Sequence, residues 1–312
     1  MAKRVVIALG GNAILRPKQK PTYQNQLVNV KLSAEFIAKI DELDYEIVLT
    51  HGNGPQVGNI LFQNEEADHV IPKYPLDVCI AEAQGLIGYM MEQSLKNVLA
   101  QKGSTSSVAT LLTQVEVAEN DPAFSRPSKF IGLYYSPEAA AKIRLDKNWL
   151  MAEDSGKGYR HLVPCPEPQL IHGIESMVKL VQSNTIVIAG GGGGIPVVKD
   201  HGVLTGIEAV VDKDLVGAQL AQQLDADVYM MLTNIDNAYL NYGKSHQERL
   251  GKISLTEAKR YFAEHHFASG SMKPKMAAAI RFAELGKEAI ICSLEEAESA
   301  LLGKAGTHVI KG

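Results

Sequence analysis

Short apolar runs rich in β-branched residues recur along the chain, beginning with Val5-Val6-Ile7-Ala8-Leu9. Each closes on a glycine-rich or polar turn, and most are followed by a longer stretch with apolar residues at helical spacing. This pattern predicts strands over 4–9, 46–50, 107–113, 185–189, 227–232 and 288–293. The segment 22–43 carries Leu27, Val30, Ala34, Ile37, Ala38 and Leu43 at near-helical intervals and predicts a helix. So do 76–99, 214–224 and 271–285, the last with Pro274 in its first turn, where a missing N–H does no harm. Strands alternating with helices specify an α/β protein whose mainly parallel sheet is covered by helices.

One stretch breaks the alternation. Between Val117 and Pro168 lie six prolines (Pro122, Pro127, Pro137, Pro164, Pro166, Pro168 itself), the sole tryptophan, Trp149, and three tyrosines. A structureless loop of that length does not suit a compact domain, so 117–168 is expected to be a small inserted subdomain over the carboxyl ends of the strands. No internal repeat and no low-complexity segment is present.

Composition narrows the function classes. The chain has 312 residues, 46% apolar and 21% charged, which suits a globular protein with a sizeable core. A net charge of −4 argues against a nucleic-acid or anionic-membrane partner recruited by bulk electrostatics. No apolar run approaches the ~18 residues of a membrane span, and the opening Met1-Ala2-Lys3-Arg4 leads straight into a run too short for a secretion signal. Cys79, Cys165 and Cys292 are odd in number, far apart and without metal spacing. They read as reduced thiols, and a cytoplasmic location is expected.

The candidate chemistry sits where strands end. Lys213 lies between two acids in Val211-Asp212-Lys213-Asp214, shortly after five glycines, Gly190 to Gly194. Glycine lets main-chain N–H groups approach an anion, and lysine supplies a mobile cation. Neither G-x-x-x-x-G-K-[ST] nor G-x-G-x-x-G occurs, so a phosphate site here is of neither the P-loop nor the simple Rossmann kind. Leu9-Gly10-Gly11-Asn12 and His51-Gly52-Asn53-Gly54-Pro55-Gln56 each follow a strand. Together they offer backbone donors and the Asn12, Asn53 and Gln56 amides to a small anion, although plain tight turns look the same. The five glycines follow a buried strand and lack serine, which favours a phosphate cradle, including Gly191 and Gly192, over a linker. Asp212-Lys213-Asp214 fits both a solvated helix cap and a charged site in which the carboxylates aim the lysine. In Ser271-Met272-Lys273-Pro274-Lys275, Lys275 falls in the first turn of a helix whose dipole favours an anion. Two such cations on one phosphate would form a clamp. Leu232-Thr233-Asn234 ends a strand and is placed to touch a nucleotide. Lys129, with Arg126, Asp154 and Arg160, is either surface charge on the insert or a lid lysine that reaches down. His265-His266 lacks any metal-ligand spacing, and no metal-ligand set is assigned.

Taken in order, Ala8-Leu9-Gly10-Gly11-Asn12-Ala13, Thr50 to Gly58, Gln84-Gly85-Leu86-Ile87-Gly88-Tyr89, the glycine run with Ile195-Pro196-Val197, Glu208 to Asp214, His266 to Lys275 and Gly303 to Thr307 closely resemble carbamate kinases, of the amino acid kinase fold. The resemblance runs nearly end to end. It implies a three-layer αβα sandwich with a central, mainly parallel sheet, a small protruding lid at about 117–168, and a homodimer. It implies reversible phosphoryl transfer between ATP and carbamate, giving ADP and carbamoyl phosphate, with Mg²⁺. The single domain 1–312 would then divide into a carbamate or carbamoyl phosphate half, 1–183, and a nucleotide half, 184–312. Carried over, Lys213 and Lys275 bind the transferring phosphate, Asp214 orients them and Lys129 closes from the lid. Gly10, Gly11, Asn12, Gly52, Asn53 and Gly54 take the substrate. Gly191, Gly192, Lys213, Thr233, Asn234, Met272 and Lys275 take the nucleotide. The resemblance leans towards ATP formation in arginine or purine-derived catabolism. Departures lie mostly in the lid: Phe130 and Leu133 stand where proline is usual, Lys157 and His161 where the family commonly has arginine or another basic residue, and Gly190 makes five glycines of the usual four. A related kinase of another small carboxylate, and a nucleotide-binding protein without turnover, fit the same residues.

Overall fold

Eight strands make the central sheet of the computed structural model, which describes residues 2–16, 18–53, 55–268 and 272–312. In chain order they are β1 (Arg4–Leu9), β2 (Glu46–His51), β3 (Ser107–Thr110), β4 (Thr185–Ile188), β5 (Val228–Thr233), β6 (Lys252–Ser254), β7 (Glu288–Ser293) and β8 (Thr307–Ile310). They lie in the order β6-β8-β7-β5-β1-β2-β4-β3. Every pairing is parallel except β7 with β8. The apolar runs are continuous because a parallel sheet is buried on both faces. Val5, Ile7 and Leu9 pack with Val30 and Ile37 of the helix Tyr23–Asp41 and with Ile87 and Leu95 of the helix Leu76–Lys102. Val6 and Ala8 face the other way, onto Val216 and Leu220 of the helix Lys213–Gln223 and Met276 and Phe282 of the helix Met272–Ala283. Helices, sheet and helices thus form three layers.

Six of the eight strands fall where the apolar runs predict them. The run at 107–113 is shorter than predicted. β3 stops at Thr110, and Thr113 is drawn out of the ladder by side chains: its amide donates to Gln84 Oε1 at 2.9 Å and its hydroxyl accepts from the Gly190 amide at 2.9 Å. The chain then enters a second sheet, of order Val203–Gly206, Ile195–Asp200, Gln114–Val117, Pro168–Ile171. That sheet was not foreseen, nor were the edge strands β6 and β8, nor the helix Gln56–Ala67.

From the second sheet the chain rises into a separate antiparallel unit of order Lys129–Tyr135, Tyr159–Val163, Met151–Glu153. The helix Pro137–Lys147 completes it. Its start is coded locally: Ser136 caps it by accepting from the Ala139 amide, with proline at the first position, and Asn148 ends it in the left-handed region at φ 54°. Trp149 stacks flat on His161, ring centroids 4.1 Å apart, and packs against the buried cluster that includes Val57 and Leu61 of the helix Gln56–Ala67 and Ile131 and Val163 of the unit itself.

Candidate active site

The carboxyl ends of β5, β1 and β2, adjacent in the sheet, open into one cavity of about 660 Å³ beneath the lid. Its size suits a small-molecule ligand. Gly10, Gly11, Asn12, Gly52, Asn53, Lys129, Gly192, Lys213, Asp214, Thr233, Asn234 and Lys275 all line it. Gly191 and Met272 do not: the Gly191 carbonyl accepts from Gln84 Nε2 at 2.9 Å, and Met272 belongs to the apolar core. Gly54 and Ser271 lie outside the described residues.

The electrostatic centre is Asp214, only 4% exposed, on the first turn of the helix Lys213–Gln223. Lys213 Nζ donates to its Oδ1 at 2.7 Å, and Lys275 Nζ donates to its Oδ2 at 3.1 Å. One carboxylate thus gathers two ammonium groups from separate helices at a cavity wall. Burial works against the Asp214 charge, yet Lys213 and Lys275 outweigh it and hold the carboxyl below the usual aspartate range. Lys275 is shifted the other way. Burial and the neighbouring Lys213 charge lower its ammonium pKa, and Asp214 only partly offsets them. Two cations and one anion leave net positive charge here, as an anionic ligand requires.

The glycine loops contribute space as much as donors. Gly11–Ala13 forms a short 3-10 turn in which Ala13 donates to the Gly10 carbonyl. The amides of Gly11 and Asn12 take no bond within that turn, so they are the donors the loop can offer. The Gly52 amide is spent on the Leu9 carbonyl at 3.0 Å. Gly52 matters because a Cβ there would meet Lys213 Cδ at 3.0 Å. Gly192, at φ +68°, lies under the Asn53 side chain, and Gly193, at φ +96°, under the Val211 carbonyl; neither contact leaves room for a Cβ. The run is held from behind by Thr50, whose hydroxyl donates to the Gly190 carbonyl at 3.0 Å, and by Gln84. Its glycines therefore serve close packing as well as conformation, and Gly192 is the one that reaches the cavity wall.

His51 and Gln56 turn away from the ligand space. His51 is buried against Gly191, and its Nδ1 faces the Gly52 carbonyl at 3.1 Å, which fixes the neutral tautomer with the proton there. Burial, helped by Lys213, pulls its pKa down to about 4 even though the Gly52 bond opposes this. Gln56 is 2% exposed and donates to Gln26 at 2.7 Å.

The lid brings two cations to the rim. Lys129 Nζ donates to Asp212 Oδ2 at 2.8 Å. Burial lowers the Lys129 pKa, but Asp212 more than compensates and raises it. Arg160, which also lines the cavity, donates to the Gly132 carbonyl at 3.2 Å and to Asp154 at 3.0 Å. The sequence marked Arg160 only as charge accompanying Lys129 and did not mark Arg16, because an arginine on a polar strand or loop carries no signal of direction. Of the lid departures, Phe130 lines the cavity. His161 instead stacks on Trp149, beside a smaller space of about 280 Å³ between lid and body. Burial lowers its pKa to about 4.

Among the described residues no group of three or more His, Cys, Asp and Glu is placed to hold a metal ion. Near the cavity, Asp214 and Asp212 are engaged by lysines. The donor set does not form a resident cage, so a divalent ion here would depend on the oxygens of a bound ligand to complete its shell.

The amino acid kinase family model matches residues 3–293. The carbamate kinase of Thermococcus kodakarensis is 50% identical, with 99% of each chain covered. That of Pyrococcus furiosus is 47% identical over 99% of this chain and all of its own. The solved structure of carbamate kinase from Giardia lamblia bound to AMP-PNP superposes with a TM-score of 0.94 at 43% identity, covering 100% of this chain and 99% of that one. With the sheet, the covering helices and the lysine-bearing cavity, these matches place the chain in the amino acid kinase family.

Proposed function

We propose that this protein is a carbamate kinase that transfers a phosphoryl group reversibly between ATP and carbamate. The observation that carries this reading is the pair of ammonium groups, Lys213 and Lys275, held on one buried carboxylate beside the Gly10–Asn12 loop. The full-length likeness to carbamate kinases supplies the acceptor. In the synthetic direction a carbamate oxygen forms a bond to the γ-phosphorus while the bond from that phosphorus to the β,γ-bridging oxygen breaks. Carbamate is already an oxyanion, so no base has to remove a proton from it. That suits a site in which His51 is buried and turned aside and no histidine lines the cavity among the described residues. What remains for the protein is alignment and neutralisation of the charge on the moving group. Lys213 and Lys275 supply the cations, Asp214 keeps them on target, and Lys129 closes from the lid.

In this reading residues 1–183 hold carbamate or carbamoyl phosphate through Gly10, Gly11, Asn12, Gly52, Asn53 and Gly54, with 117–168 as the lid. Residues 184–312 hold MgATP or MgADP through Gly191, Gly192, Lys213, Thr233, Asn234, Met272 and Lys275, of which Gly191 and Met272 act from behind the residues that line the cavity. We assign a homodimer, supported by exposed Leu86 and Tyr89 beside Gly85 on the helix Leu76–Lys102. We also assign a cytoplasmic setting, supported by free cysteines; no described helix is long and apolar enough to cross a membrane. The working direction is ATP formation in arginine or purine-derived catabolism. The test is ATP formation from ADP with carbamoyl phosphate, compared with acetyl phosphate and acylglutamyl phosphate. Preference for carbamoyl phosphate is expected. Preference for another acyl phosphate would reassign the acceptor, and ADP binding without turnover on any of them would remove the kinase assignment.

A further inference from the structure

We propose that Asp212 is a positioning residue that seats the lid lysine, Lys129, over the phosphate site; this rests on the phosphoryl-transfer reading above. Its two carboxylate oxygens do different work. Oδ1 accepts from the Asp214 amide at 2.9 Å and caps the helix that carries Lys213 and Asp214. Oδ2 accepts from Lys129 Nζ at 2.8 Å, across 83 positions of sequence. A single side chain therefore ties the first strand of the lid to the start of the catalytic helix.

Asp212 is a fixed point. The carbonyl of Val211, just before it, lies so close over Gly193 that no Cβ fits between them. The helix cap holds it from the other side. Lys129 is the movable partner, its side chain 46% exposed against 15% for Asp212. Charged groups around Lys129 are Asp212 and, farther off, Asp214, with the Cys165 thiol also close. Asp214 is already engaged by two lysines, which leaves Asp212 to direct Lys129.

A helix cap alone does not need a charge, because asparagine and serine cap about as well as aspartate. Beyond the helix dipole, which favours an acidic N-cap by about 0.3–1 kcal/mol, the negative charge of Asp212 is useful only towards a cation. In a cavity that takes an anion, that charge is otherwise unfavourable. The two roles therefore predict opposite signs for Asp212→Asn. If Asp212 only caps, removing a carboxylate near the anion leaves phosphate binding equal or tighter. If it seats Lys129, binding weakens.

Inorganic phosphate binding by titration calorimetry reads this without turnover. Asp212→Asn is expected to raise the phosphate Kd about three- to fivefold, the upper range for a half-exposed ion pair. The KM for carbamoyl phosphate should rise alongside it, with kcat within about twofold of wild type. In a Lys129→Met background, where no lysine remains to be seated, the same substitution should leave the Kd unchanged or lower it. An unchanged or lower Kd with Lys129 present, or an equal rise with Lys129 removed, would overturn the proposal. Asp212→Ser, which also caps, replaces the asparagine variant if that one does not fold. A wild type that binds phosphate but makes no ATP from carbamoyl phosphate and ADP removes the functional reading, while the phosphate titrations still decide the role of Asp212. A wild type that makes ATP but binds no phosphate overturns the role proposed for Asp212 and leaves the functional reading standing.

Discussion

A single methyl group at Gly58 tests whether lid placement governs the reaction. Gly58 lies in the first turn of the helix Gln56–Ala67, and a Cβ there would stand 2.7 Å from both the Cα and the amide nitrogen of Gly132 in the lid. Carbon atoms in ordinary contact sit about 3.5–4.0 Å apart, so the lid strand must retreat by roughly 1 Å. Backbone cannot step aside by changing rotamer. Lys129 lies on the same strand, and Arg160 is bonded to the Gly132 carbonyl, so both lid cations move with it. A misplacement of about 1 Å at a reacting centre costs up to roughly 10²-fold in rate. Gly58→Ala is therefore expected to lower kcat/KM for carbamoyl phosphate about 10- to 100-fold in an ATP-formation assay, with ADP affinity close to wild type. Global stability should change little, because alanine gains about 0.5–1 kcal/mol over glycine in a helix and offsets part of the clash. Gly251→Ala, where a Cβ meets nothing within 4 Å, is the matched control and should be neutral. A Gly58→Ala enzyme within twofold of wild type would show that the lid seat does not set the chemistry.

Two further expectations concern buried charge. His51 should titrate near 4 by NMR; a value near 6.5 would contradict its buried, Gly52-bonded placement. Because the unfolded chain takes up that proton near 6.5 and the folded one only near 4, stability should fall as pH drops through this window, by up to about 3 kcal/mol at 1.36 kcal/mol per unit. Asp214→Ala leaves Lys213 and Lys275 facing each other without a counter-charge, and removing one partner of a buried pair costs about 3–5 kcal/mol. The wild-type advantage in thermal melts should be full above the ordinary aspartate value of 3.8 and fade as pH falls through the lower folded value. A difference that does not shrink in acid would mean that the carboxylate charge is not its source.

The layers were legible because the central strands are buried on both faces, so Val5 to Leu9 and Glu288 to Ser293 read as unbroken apolar runs bounded by turns. The edge strands β6 and β8 were not, being three and four residues long with Lys252 and His308 among them. The second sheet escaped because its four strands come from three distant stretches and are partly polar. The helix Gln56–Ala67 was hidden behind the glycines and proline before it. In the cavity, residue type and position at a strand end pointed to Gly10, Gly52, Lys213 and Lys275. No local pattern shows that two lysines 62 positions apart in the chain share one carboxylate; only the end-to-end resemblance suggested it. The glycine run read as one uniform cradle, whereas neighbouring glycines there serve different contacts. Gly58 read only as the end of the Thr50 to Gly58 motif for a related reason: its lack of a side chain matters only against Gly132, which sequence does not place beside it.

Phosphoryl transfer in this site depends on Lys213 acting on the moving group. Its most direct measurement is kcat for ATP formation from carbamoyl phosphate and ADP in Lys213→Ala, at saturating substrates, in protein shown to be folded. A loss of about 10³-fold or more is expected, in line with removal of a cation that acts in a phosphoryl-transfer transition state. A kcat within about tenfold of wild type would contradict it.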